Sequence, residues 1–191
     1  LFGYSASFIL RDNSKPNRRR YLRRMFALFL FGLAHAVFFF IGDILITYSI
    51  LGLLLFMVSR SSDRALKRWT IAAITVAVFL ILVIASLAAA FPDDFSESAG
   101  LESALSTGTF AEAAIARLEA LPTTLLGVFL LQGPMAFAAF VLGLRASRVR
   151  LLADPKAHLE LWRKLARWGW AIGLPLQAVA AGMQIGALAS G

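Results

Sequence analysis

The stretch from Met25 to Ser59 contains a single formal charge, Asp43. As one straight helix it would be about 52 Å long at 1.5 Å per residue. The hydrocarbon core of a bilayer is only about 30 Å thick. The stretch is too long for one crossing and long enough for two. Gly42-Asp43 is the natural fold point, because glycine is a poor helix former and Asp43 can cap the helix that follows. The reading is a helical hairpin, Met25–Ile41 and Ile44–Ser59, with His35 in its first arm and Asp43 at its turn.

Composition places the whole chain in the same class. Of 191 residues, 59% are hydrophobic and only 16% are charged, against about 25% in a soluble domain. The mean hydropathy is +0.75. With no cysteine, disulfides, thiolate catalysis and zinc–thiolate sites are excluded, and two distant histidines do not make a metal site. Residues 1–10, LFGYSASFIL, are apolar but would span only about 15 Å as a helix. They read as a helix stub, and the chain as a fragment truncated at its N-terminus, since they lack the basic start of a signal peptide.

Charge is sorted along the chain. Residues 11–24 carry +6, residues 60–68 +3, residues 92–122 −5 and residues 145–168 +5. The runs 69–91, 123–144 and 169–189 are free of charge. The expected architecture is an all-α polytopic membrane helix bundle, a single domain over 1–191. It has five full transmembrane helices (25–41, 44–59, 69–91, 123–144, 169–189) plus the stub. The excess of lysine and arginine marks the cytoplasmic side of a multi-pass bacterial inner-membrane protein. Loops 11–24, 60–68 and 145–168 are then cytoplasmic, and loop 92–122 lies outside. Trp69, Trp168 and Trp170 fall at cytoplasmic helix ends, where aromatic belts form. The net charge of +8 thus points to the lipid bilayer, with anionic headgroups at Arg18, Arg19, Arg20, Arg23 and Arg24, and not to nucleic acid.

Two amphipathic segments interrupt this pattern. Thr109 and Glu112 have capping-box spacing, and Phe110, Ala114, Leu118 and Leu121 recur at helical spacing. A short outer-surface helix over 109–121 is expected, with Pro122 as its stop. It either packs on the bundle or covers an outward cavity. Leu159, Trp162, Leu165 and Ala166 form a second apolar face, beside Arg163, Lys164 and Arg167. It reads as a juxtamembrane helix running into the last span.

Few side chains in the apolar runs can carry chemistry. His35, about 15 Å along its helix from Met25, is expected near the middle of the membrane, facing the bundle or a cavity. It is a candidate general base or proton relay, or else a neutral imidazole bonded to a neighbouring helix. Gly32 and Ala36 form a small-xxx-small pair beside it. Asp43 is a helix cap or a proton-transfer group. Were the helix to continue, His35 and Asp43 would be about 12 Å apart, too far for a hydrogen bond. Tyr48 could offer its hydroxyl to the same cavity. Gln132, Gln177 and Gln184 are binding candidates or interhelical hydrogen bonders. Pro134 and Pro175 are expected to kink their helices. No nucleotide-binding glycine loop, metal motif or Ser-His-Asp order appears.

The hairpin also resembles a known family. Gly32-Leu33-Ala34-His35-Ala36, Gly42-Asp43-Ile44-Leu45, Tyr48, Ile50 and Gly52 are similar to the YeiB-like family of bacterial inner-membrane proteins. Leu1-Phe2-Gly3 and the arginine-rich Arg18–Arg24 fit its pattern as well. Leu142-Gly143-Leu144-Arg145 and Gly173-Leu174-Pro175 resemble the start of its C-terminal domain of unknown function. The family is distantly similar to transmembrane acyltransferases, including the lysosomal heparan glucosaminide acetyltransferase. The resemblance implies acetyl-CoA or another acyl donor as substrate, with no bound cofactor. It does not equate His35 with the catalytic histidine of those enzymes, which lies in an earlier helix. The family's early Asp-x-x-Arg-Gly segment has no counterpart in the chain.

Three functional classes follow. The first is a membrane-embedded acyltransferase, or part of one, acting on an envelope or cell-surface acceptor. The second is a transporter or channel binding solute at the kinked helices. The third is a structural protein without catalysis.

Overall fold

The structure is a computed structural model describing residues 1–10, 14–91 and 99–189, apart from the side chains of 99, 100, 102 and 183–189. Helices make up 86% of the described residues and no strand occurs among them, so the fold is all-α. The helices are α1 (Phe2–Leu10), α2 (Lys15–Phe38), α3 (Leu45–Val58), α4 (Asp63–Ala90), α5 (Ala99–Ser106), α6 (Phe110–Arg148) and α7 (Leu159–Ala189). Three of them, α2, α4 and α6, are long and apolar enough to cross a membrane. At 14 residues, α3 is shorter, about 21 Å. Among the described residues, length and composition together thus give three candidate crossings.

Boundaries differ from the charge map for identifiable reasons. Helix α2 begins at Lys15, well before Met25, because arginine and lysine are good helix formers and Pro16 suits a first turn. It ends at Phe38, leaving residues 39–44 as the hairpin turn. Most mapped charge thus lies inside helix ends, not in loops. Helix α6 does not stop at Pro122 but runs through both Pro122 and Pro134 to Arg148. A proline in a membrane helix is tolerated where hydroxyl side chains re-satisfy the freed carbonyls. The carbonyl that Pro122 frees is that of Leu118; the Thr123 hydroxyl instead adds a bond to the Ala120 carbonyl at 2.9 Å. The capping box forms as its spacing requires. Glu112 N–H donates to Thr109 Oγ1 at 3.3 Å, and Thr109 N–H donates to Glu112 Oε2 at 2.6 Å.

The chain divides into two compact units, Leu1–Arg148 and Val149–Gly191. In the first, α1 and α6 meet at glycines. A Cβ on Gly3 would collide with the Phe140 backbone, and one on Gly143 would lie 2.9 Å from Tyr4 N. Phe2 stacks on Phe140 with centroids 4.3 Å apart. Around this contact sits the main apolar cluster, including Tyr21, Leu51, Leu55, Leu66 and Val141. The Tyr21 hydroxyl crosses from α2 to donate to Gly52 O at 2.9 Å. At the far end a second cluster joins Ala36, Ile46 and Leu121 from α2, α3 and α6.

Polar ties mark the end opposite the hairpin turn. Arg145 of α6 makes a two-pronged ion pair with Asp63 of α4, both bonds 3.0 Å. Arg148 donates to the carbonyls of Ser59 and Ser61, each at 2.9 Å. Much of the outer surface is apolar, as at Phe31, Met57, Phe79 and Leu82. Only 11% of the most apolar window of α4 is buried within the protein. Such an all-round apolar helix is compatible with lipid contact.

In the second unit, a short 3-10 helix, Lys156–His158, leads into α7. Helix α7 runs from the basic Leu159–Trp168 segment through Pro175 without a break. The juxtamembrane segment and the last apolar run are therefore one helix.

Candidate functional site

The hairpin turn assembles the most chemically suggestive group. Because α2 ends at Phe38, the chain folds back and brings Asp43 against the last turn of α2. His35 Nδ1 lies 2.7 Å from Asp43 Oδ2. The separation expected for a continuing helix is thus corrected: the turn converts an axial distance into direct contact. His35 also sits one turn from the end of α2, beside the hairpin turn and not at the middle of a helix. Its carbonyl accepts from the N–H groups of both Phe39 and Phe40 at 2.9 Å, closing the helix end.

Asp43 is held on every side. Its Oδ1 accepts from Leu45 N–H at 2.7 Å and Ile46 N–H at 3.2 Å, which caps the start of α3. Its side chain is only 2% exposed. Gly32 makes the room, since a Cβ there would lie 2.9 Å from Asp43 Oδ1 and 2.8 Å from Ile46 N. The Gly32/Ala36 pair therefore serves close approach of α2 to the turn, with both residues buried. The imidazole is different: 46% of the His35 side chain is exposed. Its ring stacks on Phe39 with centroids 5.9 Å apart. Nε2 has no hydrogen-bond partner among the described residues.

This geometry suits one tautomer. Asp43 Oδ1 is committed to two backbone donors, so Oδ2 is the acceptor for Nδ1–H. In that tautomer the lone pair is on Nε2, in a side chain that is 46% exposed. A carboxylate that orients a histidine and leaves the other nitrogen open is an arrangement that can take and return a proton.

The other candidates lie elsewhere. Tyr48 packs edge-on against Phe140, with centroids 5.1 Å apart, and against Phe2, within the main apolar cluster. It is not brought to the His35–Asp43 pair. Gln132 is exposed on α6, and Gln177 is exposed on α7 in the second unit. The side chain of Gln184 lies outside the described residues. No cluster of three or more metal-ligating side chains occurs among the described residues. A groove of about 830 Å³ runs along the basic start of α2, lined by Lys15, Arg19, Arg20, Arg23 and Arg24. Another of about 510 Å³ lies between α5 and α6. Neither is lined by His35 or Asp43.

Sequence reasoning missed one residue. Arg117, the lone base of the acidic segment, is half-buried on α6, and its Nη1 is sealed without a hydrogen-bond partner. Its sign among six acids was the available signal.

Comparison with known proteins adds a relative without a function. No family model matches the chain, and no solved structure matches it. The chain is 25% identical over 201 residues to the uncharacterized protein YxaH of Bacillus subtilis strain 168. The match covers 94% of this chain and 48% of that protein. The chain therefore spans about half the length of the curated relative it matches.

Proposed function

We propose that this chain is the membrane-embedded part of an acyltransferase of the bacterial inner membrane, with His35 as general base oriented by Asp43. The observation that carries the reading is the 2.7 Å contact between His35 Nδ1 and Asp43 Oδ2, with the opposite ring nitrogen open. The YeiB-like resemblance supports the same direction, and supplies the reaction class by analogy. The acyl donor is acetyl-CoA or another acyl thioester, and the acceptor is an envelope hydroxyl or amine. His35 Nε2 takes the proton as the acceptor oxygen or nitrogen bonds to the acyl carbon. The thioester C–S bond then breaks, and the departing thiolate receives that proton.

The topology in this reading is multi-pass. Loops 11–24, 60–68 and 145–168 face the cytoplasm, and 92–122 faces outward. Two observations favour sorting the loops into opposite ends. Arg145 and Arg148 meet residues 59–63, whereas Leu121 meets Ala36 and Ile46 near the hairpin turn. Arg18, Arg19, Arg20, Arg23 and Arg24 would then lie beside anionic lipid headgroups.

The test is acyl transfer by the full-length protein in proteoliposomes. Labelled acetyl-CoA is supplied with an envelope extract, and wild type is compared with His35→Ala. Label should enter an acceptor with wild type and fall by about 100-fold or more in the variant. No transfer by either protein would remove the acyltransferase reading. Equal transfer by both would remove His35 from it.

A further inference from the structure

The first turns of α2 have two opposite faces. Tyr21 and Met25 are buried, in line with Gly32 and Ala36 further along. The Tyr21 ring stacks on Phe56 of α3 with centroids 5.8 Å apart, and its hydroxyl reaches Gly52 O. Arg18 borders this contact, its guanidinium 5.5 Å from the centre of the Phe56 ring. Lys15, Arg19, Arg20, Arg23 and Arg24 fall on the other side of the helix at about 3.6 residues per turn, and all five are exposed. With Pro16 and Ala27 they line the groove of about 830 Å³.

The same contacts fix a level. Residues 18–25 of α2 run alongside residues 52–56, which lie within the apolar, charge-free α3. At that level α3 turns Leu53, Leu54 and Met57 outward. In a membrane the arginines thus stand beside a lipid-facing surface, not in a loop beyond it. Past the groove the same face of α2 becomes apolar, with Leu30 and Phe31 exposed and the small Ala27 at the junction. Cations followed by exposed apolar surface match an amphiphile with an anionic head and a hydrocarbon body.

The number of cations narrows the head. Lys15 to Arg24 covers about 14 Å of helix axis. Arg19/Arg23 and Arg20/Arg24 are pairs four residues apart, a spacing at which like charges repel. One phosphate takes a two-pronged contact from one guanidinium, so a single headgroup phosphate leaves most of these charges opposed. Among the described residues no acid lines the groove. Asp12, the one acid of residues 11–24, lies outside the described residues and offsets at most one of the five. A head with two phosphates meets both arginine pairs.

We propose that this face of α2 is a discrete site for a phospholipid bearing two phosphate groups. One phosphate lies on Arg19 and Arg23, the other on Arg20 and Arg24, and a chain passes Ala27 onto Leu30 and Phe31. The site differs from general headgroup contact in having a fixed stoichiometry and a choice of lipid. It rests on the membrane reading and not on acyl transfer.

The test uses full-length protein, delipidated in dodecyl maltoside, with bound lipid counted by native mass spectrometry. Diphosphatidylglycerol is the two-phosphate probe, and phosphatidylglycerol is compared at equal total phosphate. One diphosphatidylglycerol per chain should bind, about tenfold tighter than phosphatidylglycerol. Arg19→Gln with Arg23→Gln, and Arg20→Gln with Arg24→Gln, should each weaken it by about tenfold and erase the preference. Ala27→Phe keeps every charge but crowds the junction, and should weaken binding too. Arg163→Gln with Arg167→Gln on α7 removes equal charge elsewhere and should bind as wild type does. Equal binding of the two lipids would overturn the proposal, as would arginine-pair variants indistinguishable from the α7 variant. Unchanged binding in Ala27→Phe would reduce the site to general attraction and overturn it equally. Displacement of the lipid by equimolar inorganic pyrophosphate would assign the groove to a soluble diphosphate, against the proposal. The arginines are exposed, so lipid-free thermal midpoints of the variants should match wild type. If a double variant does not fold, Arg24→Gln alone is judged by the same outcomes. Lipid binding needs neither acyl donor nor acceptor, so failure of the transfer reaction leaves this result readable.

Discussion

Gly32 leaves the space that the Asp43 carboxylate occupies: a Cβ at residue 32 would lie 2.9 Å from Asp43 Oδ1. One missing methyl group lets α2 and the start of α3 approach closely enough for Asp43 to bond backbone and imidazole together.

Gly32→Ala should therefore damage both stability and the reactive pair. The added methyl meets the Ile46 backbone as well as the carboxylate, neither of which is a flexible side-chain end. Overpacking of this kind costs about 1–3 kcal/mol. A lowered thermal midpoint and reduced acyl transfer are expected together. A variant with unchanged midpoint would show that the turn has slack.

Pro122 and Thr123 make an opposed pair of predictions. Thr123→Val removes a hydroxyl bond to an Ala120 carbonyl that keeps its helical donor, at a cost of only about 0.5 kcal/mol. Pro122→Ala restores a backbone donor within a continuous helix and should raise the midpoint. Circular dichroism melts in detergent check both signs.

Arg148 holds the turn between α3 and α4 through two carbonyls, those of Ser59 and Ser61. Arg148→Ala should expose that turn and speed limited proteolysis there. Arg145→Ala removes only the outer ion pair to Asp63 and should change cleavage less.

The loop assignment is checked by cysteine labelling in intact spheroplasts, on a background free of other cysteines. Thr107→Cys should react with an impermeant maleimide, and Ser61→Cys should react only after lysis. Labelling of both, or the reverse pattern, would contradict the orientation.

Much of this architecture can be read from the amino acids alone. Charge-free runs locate the long helices because a bilayer admits few charges. Thr109 and Glu112 announce the start of α6, since a capping box is a local interaction. The limits of α2 and α6 are less legible, because arginine propensity extends one helix and the other continues through Pro122. The His35–Asp43 contact depends on where the hairpin turn begins, and a shift of three residues changes an axial separation into a bond.

The most direct measurement of the central claim is a double-mutant cycle on acyl transfer. Single-turnover rates are compared for wild type, His35→Ala, Asp43→Asn and the double variant. If Asp43 acts through His35, each single change is severe and the double variant is no slower than His35→Ala alone. Losses that multiply, or full activity in Asp43→Asn, would show that the two residues do not work as a unit.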